Sequence, residues 1–454
     1  MPKIIVIAFD ISYRDLPNLH LFLYKSFEEQ LKEIENRIRE VCEILTREEK
    51  NANQWVISWR EYGLYNGFHD RNITSTQKSL LKNTLSNLTK DYPKLTIIGG
   101  TVATKQDIDS QDLEKLDRKK KGLEQAYNEN IHLINLDDSN EFKNSRRAAQ
   151  DVQKVSVQNF SIIRNTAYVF SNGTCIARHD KTIPFNEIRN CSTSTIFRPG
   201  KGQSNSSYIN ENMSIEICRE HELGLFAREV QISASLKSQL SLIQFVLSDS
   251  IYFIPKNMVS PYAIYIDSQN QNRLITDIDK ENIDVSLYSY NILSKTSNLI
   301  RVEPQSVRSF LISFIEECMK KSTFNPLKID RIVKDKLGND LLNEDDYVKL
   351  TILAAKKYIH AESFDTFRVE KILRDLLLKV ASNKTIFLEK EIAEDVLKKA
   401  ITNKDHETAT ILLEKYQSSM DQSFINNLKL DADFRIYLTV SSANDNVKKF
   451  LRHH

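Results

Sequence analysis

Apolar and polar positions along the chain alternate with two different periods, and the order in which the periods appear predicts the architecture. Lys3–Phe9 is almost continuously apolar, the pattern of a strand covered on both faces. A turn at Pro17 follows. Over Phe27–Arg47, Leu31, Ile34, Ile38, Val41, Cys42 and Leu45 then recur at helical spacing, which places Cys42 in a core. Trp55–Trp59 returns to strand character and ends in Arg60-Glu61-Tyr62-Gly63-Leu64. Thr76–Lys90 is helical, and Leu95–Thr101 is a strand closing on Gly99-Gly100, where glycine permits a tight turn or the close approach of a neighbour. Strand, helix, strand, helix, strand predicts an α/β fold in which reactive residues gather at strand ends. Glu61 stands at one such end.

The second third reads as β-rich. Residues 106–154 form a charged, helix-compatible insertion containing Arg118-Lys119-Lys120-Lys121, a run that most simply is a solvated helix face, with a phosphate or lipid contact as the alternative. Asn159–Phe170 and Thr174–Arg178 flank Ser171-Asn172-Gly173, whose Asn-Gly pair suits a tight hairpin. A loop carrying Lys181 and Glu187 follows, and then a long loop from Cys191 to Asn212. Ser214–Cys218 is a strand, Ala227–Ser238 a helix, and Ile243–Leu247, Ile251–Ile254, Tyr262–Asp267 and Ile283–Leu293 are further strands. Beyond residue 302 the period becomes helical throughout. Val307–Lys320, Lys328–Lys336, Glu344–Tyr358, Phe367–Ala381, Lys390–Thr402 and His406–Tyr416 predict a separate all-α domain over 303–454, after an α/β domain over 1–302.

Composition narrows the classes of partner. The net charge is +2 with 27% charged residues, so no overall field announces a nucleic acid. No segment approaches twenty apolar residues, so no transmembrane segment is expected, and the short apolar start lacks the core of a signal peptide. The five cysteines, Cys42, Cys175, Cys191, Cys218 and Cys318, are scattered without a C-x-x-C pair, which suggests neither a metal site nor a redox dithiol and fits a reducing compartment. The expectation is a cytoplasmic protein, with signal-less export as a bacterial effector left open, as is a homo-oligomer.

Candidate chemistry centres on Ser214-Ile215-Glu216-Ile217-Cys218-Arg219-Glu220-His221-Glu222, which carries a thiol into a charged cluster. A free cysteine is by default a small core hydrophobe. A cation such as Arg219 would favour its thiolate, and a base and a second cation elsewhere would make it a nucleophile. Glu61 and Lys181, each dull alone as a solvated side chain, supply those two types at two other strand ends.

Together these segments resemble the nitrilase (carbon–nitrogen hydrolase) superfamily over roughly residues 1–300. Trp55–Leu64 is similar to that family's apolar strand ending in an E-Y-G turn. Arg164–Gly173 followed by Lys181-Thr182-Ile183-Pro184 resembles its N-x-A segment, glycine turn and K-x-x-P loop, and Ile215–Glu220 resembles its I-C-x-D/E segment. The resemblance implies a four-layer αββα sandwich and a Glu-Lys-Cys triad of Glu61, Lys181 and Cys218, acting through a cysteine thioester on a small amide, carbamoyl compound or nitrile without a cofactor. It implies Glu187 as a second pocket glutamate, and Arg219, Glu220 and Ser248 join it as pocket residues. The chain departs from the family at Arg60, where proline is common, and in having no Phe-Pro after Glu220. A second register, aligning Pro184-Phe185-Asn186-Glu187 with the P-F-G-E of lipoprotein acyltransferases, would put His179 at the lysine position. Acyl transfer is the competing reaction. A non-catalytic scaffold whose helical domain binds a protein partner is the competing class.

Overall fold

The computed structural model describes residues 2–67, 70–108, 113–131, 160–183, 195–200, 207–233, 241–249, 253–269, 271–277, 283–294, 298–320, 388–402 and 405–416, with a few single positions beyond 345. The chain divides into two compact units, Met1–Val307 and Arg308–His454.

The first unit is an α/β sandwich of four layers. Its larger sheet has the order β14-β13-β1-β2-β4-β5-β6. These strands are β1 (Lys3–Asp10), β2 (Gln54–Trp59), β4 (Leu95–Ile108), β5 (Phe160–Ser171), β6 (Thr174–Asp180), β13 (Asp284–Asn291) and β14 (Ile300–Val302). Two short strands, β3 (Asn72–Ile73) and β7 (Thr195–Phe197), pair beside β4 and β5. The smaller sheet runs β15-β12-β11-β10-β9-β8. It comprises β8 (Tyr208–Asn210), β9 (Met213–Ile217), β10 (Ile243–Leu247), β11 (Tyr262–Ile266), β12 (Arg273–Thr276) and β15 (Gln305–Ser306).

The apolar run of β1 is continuous because both of its faces are covered. Ile5, Ile7 and Phe9 join a core with Leu31, Ile34 and Ile38 of α2 (Phe27–Glu48) and Leu81 and Leu85 of α3 (Ser75–Asp91). Ile4, Val6 and Ala8 instead pack with Ile215, Ile217, Phe245 and Ile264 of the second sheet. Both helices begin at capping boxes that satisfy their first amides: Ser26 with Glu29, and Thr74 with Gln77. On the outer side of the smaller sheet, two short helices, Arg219–Leu223 and Leu225–Ile232, complete the layers.

Several expectations change in detail. Pro17 sits in the first turn of a helix, α1 (Leu16–Leu23), where its missing N–H costs nothing, and does not mark a turn. The loop from Cys191 to Asn212 contains β7 and β8, strands too short to register as a period. Phe253 and Ile254 are not strand: a 3-10 turn at Pro255–Asn257 follows, and the Ile254 N–H donates to the His221 ring at 3.0 Å. The strand ending at Thr101 extends to Ile108, and α4 (Leu113–Ile131) then exposes Arg118 and Lys121 of the basic run, with Lys121 paired to Asp117. The rest of the insertion lies outside the described residues. So do the helices expected over 328–336 and 367–381 and most of 344–358.

The helix Val307–Lys320 begins on the last residue of the first unit, and the second unit also has helices Lys390–Thr402 and His406–Tyr416. Val396, Leu397, Ala400, Ala409, Leu412 and Leu413 are buried, as their spacing predicts. Arg308 forms a two-point ion pair with Asp346 at 2.6 and 2.9 Å.

Gly100 shapes the ground on which the site stands. It has φ +54° where β4 breaks register between Ile98 and Thr101, and a Cβ there would lie 2.2 Å from Trp59 Cδ1 and 2.6 Å from the Arg60 carbonyl oxygen. The Trp59 indole therefore fills the space a side chain would need, and fixes the end of β2. Gly100→Ala is expected to destabilise the first unit by on the order of 3 kcal/mol, from left-handed strain plus overpacking. A denaturation midpoint corresponding to less than about 1 kcal/mol would contradict this account.

Candidate active site

Three strand ends converge between the sheets. Glu61 follows β2, and its side chain is 1% exposed. Tyr62 turns the chain away with φ +54°, its N–H donating to Thr101 Oγ1 at 3.0 Å. Lys181 follows β6, is 2% exposed, and donates from Nζ to Glu61 Oε1 at 2.8 Å. Asn165 of β5 donates from Nδ2 to the same oxygen at 2.7 Å. Its carbonyl also accepts the Lys181 N–H at 2.8 Å. One asparagine thus holds both the carboxylate and the backbone of the lysine.

Cys218 stands where β9 passes into the helix Arg219–Leu223, with φ +51° and ψ −107°. That conformation is costly for a residue with a Cβ, and it persists only because neighbours impose it. The Cys218 N–H donates to the Leu247 carbonyl of β10 at 2.8 Å. The thiol hydrogen-bonds the Glu61 carboxylate, and the Asp249 N–H is directed at the sulfur. Burial drives the thiol well above its ordinary 9.0, the Glu61 charge adds to the rise, and Lys181 only partly opposes it. Cys218 therefore rests as a neutral thiol.

This corrects the electrostatic expectation from the sequence. Arg219 is not the cation that governs the thiol, because its guanidinium pairs with Glu222 one turn on. Lys181 takes that part from a distant position in the sequence. The register question also has a geometric answer: Lys181, and not His179, faces Glu61.

His179 points into a different arrangement. Its Nε2 lies 2.8 Å from Glu220 Oε2, which also accepts the Ile217 N–H at 2.7 Å, and Glu220 Oε1 accepts the Thr182 N–H at 2.5 Å. Ile217 precedes Cys218 and Thr182 follows Lys181. The Glu220 carboxylate is thus fully buried in joining the nucleophile's turn to the lysine's loop, a place different from the pocket wall expected of it. Burial disfavours the charged forms of both partners, but their mutual attraction outweighs it. His179 rises from 6.5 to about 9, and Glu220 falls below its ordinary value.

Arg60, the departure noted in the sequence, bridges the sheets beside the thiol. Its Nη1 donates to Asp249 Oδ1 at 2.7 Å, which also accepts Ser268 Oγ at 2.6 Å. Since the Asp249 amide faces the Cys218 sulfur, this pair fixes a donor next to the reacting atom. Ser248 is buried at the end of β10, its N–H donating to the Ile266 carbonyl at 2.8 Å. Glu187 lies outside the described residues.

The remaining charged residues of Ser214–Glu222 pair with one another and with their neighbours. His221 accepts the Ile254 N–H at Nε2, so its Nδ1–H donates to Glu216 Oε2 at 2.7 Å and the ring is neutral. Glu216 further accepts from Gln244 at 2.6 Å and from the Phe226 N–H at 3.1 Å. This network anchors the outer helices to the sheet.

Asn165 and Asp249 were not singled out from the sequence. The N-x-A segment could have marked the former, but nothing local marked the latter. Among the described residues, no group of three or more His, Cys, Asp or Glu side chains is placed to hold a metal ion. None of the described helices is long and apolar enough to cross a membrane.

The fold and the site define a four-layer α/β sandwich with a buried Glu-Lys-Cys cluster at its strand ends. No family model matches the chain. No curated protein matches it either. Among solved structures it is similar to a glutamine-dependent NAD(+) synthetase from Cytophaga hutchinsonii, over 94% of this chain and 80% of that one, at 9% identity and a TM-score of 0.29. A likeness this loose decides neither activity nor substrate.

Proposed function

We propose that the first unit is a carbon–nitrogen hydrolase of the nitrilase type, acting on a small amide, carbamoyl compound or nitrile. One observation carries the reading: the buried Glu61 carboxylate is contacted at once by the Lys181 ammonium and the Cys218 thiol. A strained, buried thiol against a carboxylate is poorly explained as packing, since burial alone would be served by any small hydrophobe without the backbone cost.

For an amide, Glu61 takes the thiol proton as sulfur bonds to the carbonyl carbon. The neutral resting thiol makes this transfer necessary, because there is little thiolate to attack unaided. The negative charge moves to the substrate oxygen, where Lys181 stabilises it. Collapse breaks the C–N bond, and the amine leaves with the proton from Glu61. Water then gives a proton to Glu61 and attacks the thioester carbon. The acid is released, and the departing sulfur recovers the proton. No cofactor enters this balance.

The test is direct. The full chain, incubated with a panel of small primary amides, carbamoyl compounds and nitriles and quenched in acid, is expected to release ammonia and to show acyl mass on the peptide containing Cys218. A panel that yields neither ammonia nor an adduct would sink the proposal.

A further inference from the structure

A second charged cluster lies on the opposite face of the strands that carry Lys181 and Asn165. Side chains alternate along a strand, so Arg164 and Asp180 point outward where Asn165 and Lys181 point inward. Asp180 pairs across the strands with Thr166, which donates to it at 2.7 Å, and Arg178 lies opposite Tyr168. The Arg198 N–H donates to the Ile163 carbonyl at 2.7 Å, which sets Arg198 beside Arg164 on the adjoining strand. From above, α3 contributes Lys78 and Lys82, one turn apart, with Lys82 Nζ 4.8 Å from the centre of the Tyr168 ring.

Five cations therefore meet one acid. Asp180 is already occupied: it accepts from Thr166 and from Arg178 Nε at 2.9 Å, and Arg164 stands at 3.8 Å. Among the described residues, no acid forms an ion pair with Lys78, Lys82 or Arg198. Lys78, Lys82, Arg164 and Arg198 are partly buried and Arg178 is exposed, so solvent does not fully relieve the repulsion among the first four. Lys78, Arg164 and Arg198 are all held below their ordinary values, first by burial and then with neighbouring cations contributing. The chain's net charge of only +2 makes this a local feature.

We infer that this face binds a phosphate-type dianion, held by Arg164, Arg178, Arg198, Lys78 and Lys82. Guanidinium groups offer paired N–H donors that match phosphate oxygens, and the lysines add point charge. The cluster spans three neighbouring strands and a single turn of helix, which suits one phosphoryl group better than the length of a polyanion. The inference is independent of the amide chemistry proposed above.

Titration calorimetry of the full chain tests it, using inorganic phosphate, a phosphomonoester such as phosphoserine, and chloride at matched ionic strength. Phosphate is expected to bind with a dissociation constant of about 1 mM or tighter. Arg198→Gln and Lys78→Gln, at partly exposed positions away from Glu61, Lys181 and Cys218, are each expected to weaken binding by about tenfold. Circular dichroism shows whether each variant is folded. Tighter binding of the phosphomonoester identifies a phosphorylated small molecule as the ligand, and equal or weaker binding identifies free phosphate. Heats no different from chloride, or unchanged affinity in both folded variants, would overturn the inference.

Discussion

Cys218→Ala is expected to lower turnover of any substrate found with the amide panel by about four orders of magnitude or more, with the fold intact. The reason is positional. The substitution removes the sulfur that Glu61 and Lys181 converge upon, while the 2.8 Å pair between those two residues needs nothing from the thiol to persist. The Asp249 amide and the Arg60 bridge beside it also remain. Cys175→Ser serves as the control, because Cys175 is exposed on β6 and is expected to leave turnover unchanged. Cys42 is a poorer control: it lies on the core face of α2, where burial pushes its thiol up to about 12. Turnover by Cys218→Ala within about tenfold of the parent would remove the nucleophile from the mechanism.

Glu220→Ala is expected to cost about 3–5 kcal/mol of stability, because it leaves a buried His179 without its counter-charge and two backbone amides without an acceptor. Glu220→Gln removes the charge and keeps one acceptor oxygen, leaving one of the two backbone amides against an NH2 donor, so part of its deficit is constant and the part due to the lost charge should depend on pH. His179 is raised to about 9 in the folded chain from an ordinary 6.5. Its charged form therefore stabilises the fold fully below pH 6.5, and that contribution is lost as pH rises through about 9. Glu220 is depressed below its ordinary 4.5, so its contribution is present above pH 4.5 and is lost as pH falls through the lowered value. The pair is thus worth most between pH 4.5 and 6.5, by on the order of 3 kcal/mol. The Tm difference between the parent and Glu220→Gln, measured from pH 5 to pH 9, should shrink toward the alkaline end. A constant difference would mean that His179 is neutral throughout. Because Glu220 joins the turn before Cys218 to the loop after Lys181, the folded Gln variant should also lose kcat more than it changes KM.

Where the period was long, the pattern was enough. Helices at Phe27–Glu48 and Ser75–Asp91 and the hairpin at Asn172-Gly173 were legible because apolar stripes and turn types act within a few residues. Strands of two or three residues, such as β3, β7 and β8, carry too little pattern to be seen, and the tertiary pairing alone defines them. The proline at position 17 misled because the same residue that ends helices also begins them.

The site divides in the same way. Residue types and their placement after apolar strands, read with the family resemblance, were enough to nominate Glu61, Lys181 and Cys218. Their convergence was not legible, since it depends on two sheets stacking so that positions 61, 181 and 218 meet. Nor could the sequence assign the charges around the thiol. Arg219, adjacent in the chain, is spent on Glu222, whereas Asp249 reaches the sulfur through its backbone amide while its carboxylate holds Arg60. Glu220 reads locally as one more charge beside a cysteine, and only the folded chain makes it the clasp between two loops. What the sequence determined by itself is the longer helices and strands and the residue types at their ends, because periodicity and turn chemistry act over a few residues. What the tertiary structure decided is which ends meet, which charges neutralise one another and which thiol stays protonated, because those follow from burial and from contacts between residues far apart in the chain.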